Sequence, residues 1–166
     1  MGREIKFRAW DKSFKRMFVP SQIDYELGGE LEDSKKENVH VWRKPFDGEN
    51  ANWSSSGHYI HGKDVELMQY TGLKDKNGRE IYEGDIVLED YFSNVNPNDH
   101  SDDEYIDDTP RKFIICYDSN QGRYKAVPPE TYRINAGNGG WTGYDVRGYK
   151  AEVIGNIYEN PELIEV

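Results

Sequence analysis

Between residues 67 and 88, two short strand-forming runs meet at Asn77-Gly78, and this pair restricts the fold of the chain more than any other feature. An Asn-Gly step supplies the positive φ that both central positions of a two-residue type I′ turn require, and the twist of that turn suits antiparallel strands. A hairpin is therefore expected, joining residues 68–73 to residues 79–82. The second run then meets Glu83-Gly84-Asp85, a further turn, before the apolar Ile86-Val87-Leu88. The chain is built on local antiparallel pairing.

Alternation extends the pattern. Ile5, Phe7 and Ala9 alternate with Lys6 and Arg8, as in a half-buried strand. A turn over residues 11–14 leads to a second strand over 15–19, which Pro20 ends. Residues 39–42 alternate again, and 59–60 and 65–70 have extended character. The run Phe113, Ile114, Ile115, Cys116 and Tyr117 is apolar on both faces, which predicts a central strand. A turn at 118–122 leads into a strand at 124–127, Pro128-Pro129 interrupts, and a last strand covers 149–158. Asn160 is placed to cap a short C-terminal helix with Pro161 at its first position. The stretches at about 21–58 and 89–110 are read as loop excursions from a single domain spanning residues 1–166. The fold class is mainly β, a small barrel or roll.

Composition supports strands over helices. Aromatic residues make up 13% of the chain, and Ile plus Val outnumber Leu plus Ala two to one. A lone cysteine, Cys116, excludes an internal disulfide framework and suits a reducing cytoplasm. The N-terminus lacks the apolar core of a secretory signal, and no apolar run reaches membrane-spanning length. The expected location is the cytoplasm.

The net charge of −10 is unevenly distributed. Residues 1–18 hold six Lys or Arg against two acids, whereas residues 89–110 hold eight acids and no Lys or Arg. That acidic segment reads as a mobile, solvated loop, with acid-specific proteolysis expected within residues 93–108. The overall acidity opposes generic binding to a phosphate backbone.

Catalytic and metal-binding patterns are incomplete. His58 and His61 stand three apart on a strand, which directs their imidazoles to opposite faces. Asn94, Asn96, Asn98, Asp99 and Asp102 begin like a calcium loop, but Asp99 replaces the required glycine and Tyr105 the bidentate acid. Cys116 sits in an apolar strand with no basic neighbour to activate it. Gly137, Gly139 and Gly140 lack the Lys-Ser/Thr of a phosphate loop. Asp85 is expected to bond nearby backbone amides, as turn aspartates do. No metal ligand set, cofactor site or catalytic residue is assigned, and an enzyme is not expected.

The central hairpin, the opening residues 3–11 and the closing residues 152–163 together resemble the YopX family of bacterial phage and prophage proteins. The resemblance implies a Src-homology-3-like barrel with long loop elaborations. It leaves the molecular role to be argued from the residues. The tryptophans Trp10, Trp42, Trp53 and Trp141 exceed what the centre of a small barrel can hold, and amphipathic aromatics favour recognition surfaces. The expected function is a non-enzymatic phage or prophage accessory protein that binds a host or phage protein. The candidate partner-binding residues are Trp10, Trp141, Asp102, Asp103, Asp107 and Asp108. The alternative is a nucleic-acid-related role, by direct binding through the basic N-terminal strands or by mimicry of DNA through the acidic loop.

Overall fold

Short strands with alternating burial carry most of the structure, a computed structural model that describes residues 2, 4–25, 39–47, 57–89, 109–135 and 140–165. Among the described residues about half lie in strands, one α-helix is present, and a strongly curled sheet is that of a half-barrel, so the mainly β fold class holds. The chain divides into two compact units: Glu4–Gln69, and Tyr70–Val166 with Met1–Arg3. The acidic stretch 90–108, Trp53 and Gly137 to Gly139 lie outside the described residues.

In the first unit, β1 (Phe7–Asp11) pairs with β2 (Arg16–Phe18), while β3 (Gln22–Tyr25), β4 (Val39–Arg43) and β5 (His58–His61) form a separate antiparallel meander. Thus the 21–58 stretch, read as a loop excursion, contains β3 and β4, two strands of a three-stranded sheet. β1 also pairs with the first half of β6 (Val65–Lys74), from Phe7 opposite Gln69 to Asp11 opposite Val65. Ala9, Phe18 and Val65 from one sheet and Val41 and Ile60 from the other form the core of this unit. Ile5, expected to start the inward alternation, precedes β1 and is exposed.

The second unit is built on an antiparallel sheet. Its strands are β8 (Asp85–Glu89), β9 (Arg111–Asp118), β10 (Arg123–Val127), β11 (Tyr144–Asp145) and β12 (Ala151–Asn156), and their order is β11-β10-β9-β8-β12. β9 is the central strand, as its two apolar faces required. Phe113 and Ile115 join Val87, Ala126 and Val153 on one face; Ile114 and Cys116 join Ile86 and Val127 on the other. Burial, with the nearby charge of Glu83, pushes the Cys116 thiol far above its usual range, as befits a core residue.

β6 returns through the expected hairpin into β7 (Glu80–Tyr82), with Tyr70 opposite Tyr82 and Lys74 opposite Glu80. The turn differs from the expected type. Gly78 has φ +84°, but Asn77 is not among the residues with positive φ. Asp75 controls the turn: its carbonyl accepts the Gly78 N–H at 2.9 Å, and its Oδ1 accepts the N–H groups of Asn77 and Arg79. The same loop closes the outer edge of β12. Asp75 Oδ2 accepts the Val153 N–H, Lys76 N–H donates to the Ala151 carbonyl, and Arg79 Nη1 donates to the Val153 carbonyl.

Two helical details depart from expectation. Pro129–Asn135 forms the helix α1, where the proline pair was read as an interruption. Pro129 costs nothing at a helix start, because the first N–H groups lack intrahelical partners. The C-terminal helix is a 3₁₀ turn, Pro161–Ile164, and Asn160 makes no side-chain cap. Its Oδ1 accepts instead from the Asn156 N–H at 3.4 Å.

Candidate binding face

The meander of the first unit sorts its side chains into two sets. Register places Gln22 opposite Trp42 and Trp42 opposite Tyr59; in the next row, Asp24 stands opposite His40 and His40 opposite His61. Successive side chains on a strand alternate in direction, so these six share one face. Ile23, Val41 and Ile60 share the other, where Val41 and Ile60 are buried.

The six outer residues form one connected array. The rings of Trp42 and Tyr59 lie 5.2 Å apart, inclined at 65°. Tyr59 stacks on His40 at 5.0 Å, and its hydroxyl is hydrogen-bonded to His40 Nδ1. His61 meets Tyr59 edge-on at 4.9 Å and His40 at 5.8 Å. Asp24 Oδ2 accepts from Trp42 Nε1 at 3.0 Å, and Gln22 Nε2 donates to both carboxylate oxygens at 2.8 and 2.9 Å. The hydrogen bond from Gln22, then that from Trp42, hold the Asp24 carboxyl below its usual range against partial burial, with help from His40. His40 is buried, whereas Tyr59 is 37% exposed and Gln22 and His61 are exposed. A desolvated centre with an open rim is the anatomy of a recognition patch.

The inner face supports this array through a buried ion pair. Arg43 and Asp11 are both almost fully buried, with Nε 3.3 Å from Oδ2. Asp11 Oδ1 also accepts the N–H groups of Ser13 and Phe14, which fixes the β1–β2 turn. The Arg43 guanidinium lies over the Phe46 ring at 3.8 Å and near that of Phe14 at 5.0 Å. His58 falls on this side, edge-on to Phe14, so His58 and His61 do point to opposite faces.

Other features are structural or carry less chemistry. Asp85 is fully buried and accepts the Tyr82 N–H at 2.7 Å, as expected of a turn aspartate. Glu89 pairs with Arg147 at 2.6 Å; burial raises its carboxyl, and the Arg147 charge and hydrogen bond only partly offset this. A groove of about 550 Å³ bordered by Phe18, Val19, Pro45 and Phe46 is mainly apolar. Among the described residues, no group of three or more His, Cys, Asp or Glu is arranged to hold a metal ion.

Of the candidates named from the sequence, Trp10 falls in the first unit and Trp141 in the second. Trp10 is half-buried on β1, opposite Met17 and Glu66. Trp141 stacks on Tyr132 at 5.4 Å with nearly parallel planes and packs against the second unit's core. Asp102, Asp103, Asp107 and Asp108 lie outside the described residues. Sequence reasoning did not assemble Gln22, Asp24, His40, Trp42, Tyr59 and His61. The available signal was polar and aromatic residues at alternate positions of three short segments.

A family model described as YopX protein matches residues 6–165. The crystal structure of protein EF1440 from Enterococcus faecalis is similar over 99% of this chain and 100% of that one, at 27% identity and a TM-score of 0.55. The crystal structure of protein yopX from Bacillus subtilis is similar over 97% of this chain and 96% of that one, at 17% identity and a TM-score of 0.46. No curated protein matches the chain.

Proposed function

The chain belongs to the YopX family, and from that premise we propose that it is a non-enzymatic, phage- or prophage-encoded accessory module that docks a host or phage protein. The docking surface is the outer face of β3, β4 and β5. One observation carries this reading: Trp42, Tyr59 and two imidazoles, joined to Asp24 and Gln22, lie on the sheet face opposite the core. Tryptophan and tyrosine combine large contact area with a polar handle, and both are enriched at protein interfaces.

A nucleic-acid role draws less support. The basic N-terminal strands are partly neutralised, Lys6 by Glu4 at 3.1 Å and Lys12 by Glu66 at 2.7 Å. The net charge of −10 also repels a phosphate backbone.

Affinity capture from lysogenic or infected cells tests the proposal, comparing the unmodified protein with Tyr59→Ala and Trp10→Ala. A protein retained by the unmodified chain and by Trp10→Ala but lost from Tyr59→Ala supports it. Retention by Tyr59→Ala, or capture of nucleic acid in place of protein, overturns it.

A further inference from the structure

We propose that the outer face of the β3–β4–β5 sheet receives an arginine side chain of the partner, its guanidinium stacked on Trp42 and hydrogen-bonded to Asp24. This rests on the docking role proposed above and names the chemistry of its occupant.

The face offers one carboxylate, further acceptors and π surfaces, with the imidazoles of His40 and His61 beside them. Asp24 is a carboxylate, and its hydrogen bonds from Gln22 and Trp42 engage Oδ1 once and Oδ2 twice. Each carboxylate oxygen has two lone pairs, so Oδ1 can accept a further donor. Gln22 uses its amide N–H group on Asp24, which leaves its carbonyl oxygen as an acceptor beside the carboxylate. The principal donors of the array are already engaged: the Trp42 indole N–H with Asp24, and the Tyr59 hydroxyl with His40. An acidic side chain would meet the like charge of Asp24, with the exposed His61 imidazole as a donor at the rim. No Lys or Arg is among the six residues.

The Trp42 ring decides between an arginine and a lysine. The Trp42 ring meets Tyr59 at an inclination of 65° and stands beside Asp24, to which its indole N–H donates. A guanidinium is planar, more weakly hydrated than an ammonium, and able to stack on a ring while donating in its own plane. The inner face of the same sheet displays this chemistry within the protein. There, Arg43 lies over the Phe46 ring at 3.8 Å while its Nε reaches Asp11 at 3.3 Å. The outer face holds groups of the same two kinds, a carboxylate and inclined aromatic rings.

The test is a titration of the full chain with three capped alanine-based peptides carrying one central arginine, lysine or citrulline. Binding is followed through the Trp42 indole N–H resonance. Saturable binding of the arginine peptide is expected, with affinity lowered about tenfold for citrulline and about tenfold by Asp24→Asn, the scale of one charge-assisted hydrogen bond. Gln22→Lys, at an exposed position, places a cation beside Asp24 and is expected to abolish binding without touching the core. Equal affinity for arginine and citrulline, preference for lysine, indifference to Gln22→Lys, or no binding each overturns the assignment. If arginine does not bind while Tyr59→Ala still abolishes capture of the partner, the docking face stands and only its arginine occupant falls.

Discussion

Asp75 and Val153, 78 residues apart in the chain, are joined by a 3.0 Å hydrogen bond from the Val153 N–H to the Asp75 carboxylate. The other oxygen of that carboxylate accepts the N–H groups of Asn77 and Arg79. One side chain thus shapes the β6–β7 turn and ties it to the edge of β12. Asp75→Ala leaves a buried N–H without its acceptor, and a loss of about 2–3 kcal/mol is expected. By thermal melting this corresponds to a fall of about 5–10 °C for a chain of this size. A melting temperature unchanged within a degree would refute the role given to Asp75.

The same carboxylate fixes the sign of an acid response. Burial works to raise the Asp75 pKa, but hydrogen bonds from Val153, Arg79 and Asn77, with the Arg79 charge, bring it below the ordinary value. Asp118 is lowered too, first by its hydrogen bond from Lys125 and then by turn N–H groups. A carboxyl depressed in the folded state contributes stability above its unfolded pKa of about 3.9 and loses it as pH falls through the folded value. Stability is therefore expected to decline below about pH 4, with a shallower decline in Asp75→Asn. Equal acid slopes for the two proteins would contradict the linkage.

Gly78 tests the turn from the backbone side. It has φ +84°, and a Cβ built there meets nothing within 4 Å, so the penalty of a larger residue is conformational and not steric crowding. Gly78→Val is expected to cost about 1–3 kcal/mol, whereas Asn77→Ala, at a position without positive φ, costs less. Chemical denaturation of the two variants checks the order, and a cost for Gly78→Val no larger than that for Asn77→Ala would refute it.

The buried pair of Asp11 and Arg43 is expected to be costly to break and cheap to replace. Asp11→Ala leaves a buried guanidinium without its carboxylate, for a loss of about 3–5 kcal/mol. Combining Asp11→Leu with Arg43→Met should recover most of it, because both charges then leave the interior together. Non-recovery in the double variant would show that the turn bonds from Ser13 and Phe14 to Asp11 outweigh the ion pair.

Trp141 and Trp42 are expected to separate stability from binding. Trp141→Ala removes a ring stacked on Tyr132 and packed on the core, so it should lower stability by about 2 kcal/mol and leave capture of the partner intact. Trp42→Ala should do the reverse, with a small change in melting and loss of capture. The opposite pattern would move the docking surface to the second unit.

Local information made the hairpin and the centrality of β9 legible. Two strand-forming runs around a glycine need little else, and Phe113 to Cys116 are buried on both faces of the strand. The turn type was not legible, because Asp75 competes for the N–H groups of Asn77 and Arg79 and selects a turn in which Gly78 alone takes positive φ. The outer array was hidden for a different reason. His40, Trp42, Tyr59 and His61 become neighbours only through the register of β4 on β5, and Asp24 joins them only if the polar segment 22–25 pairs as a strand. Register is a long-range property that alternation within one strand does not encode.

Separation of the two faces of β3, β4 and β5 also bears on how such a protein can diverge. Substitutions at Gln22, Asp24, Tyr59 and His61 alter the outer face while the buried Val41 and Ile60 keep their neighbours. Change on the displayed side is therefore not bound to change in the interior. Two relatives can share this scaffold and answer to different partners, and kinship of fold alone does not carry over the identity of the partner.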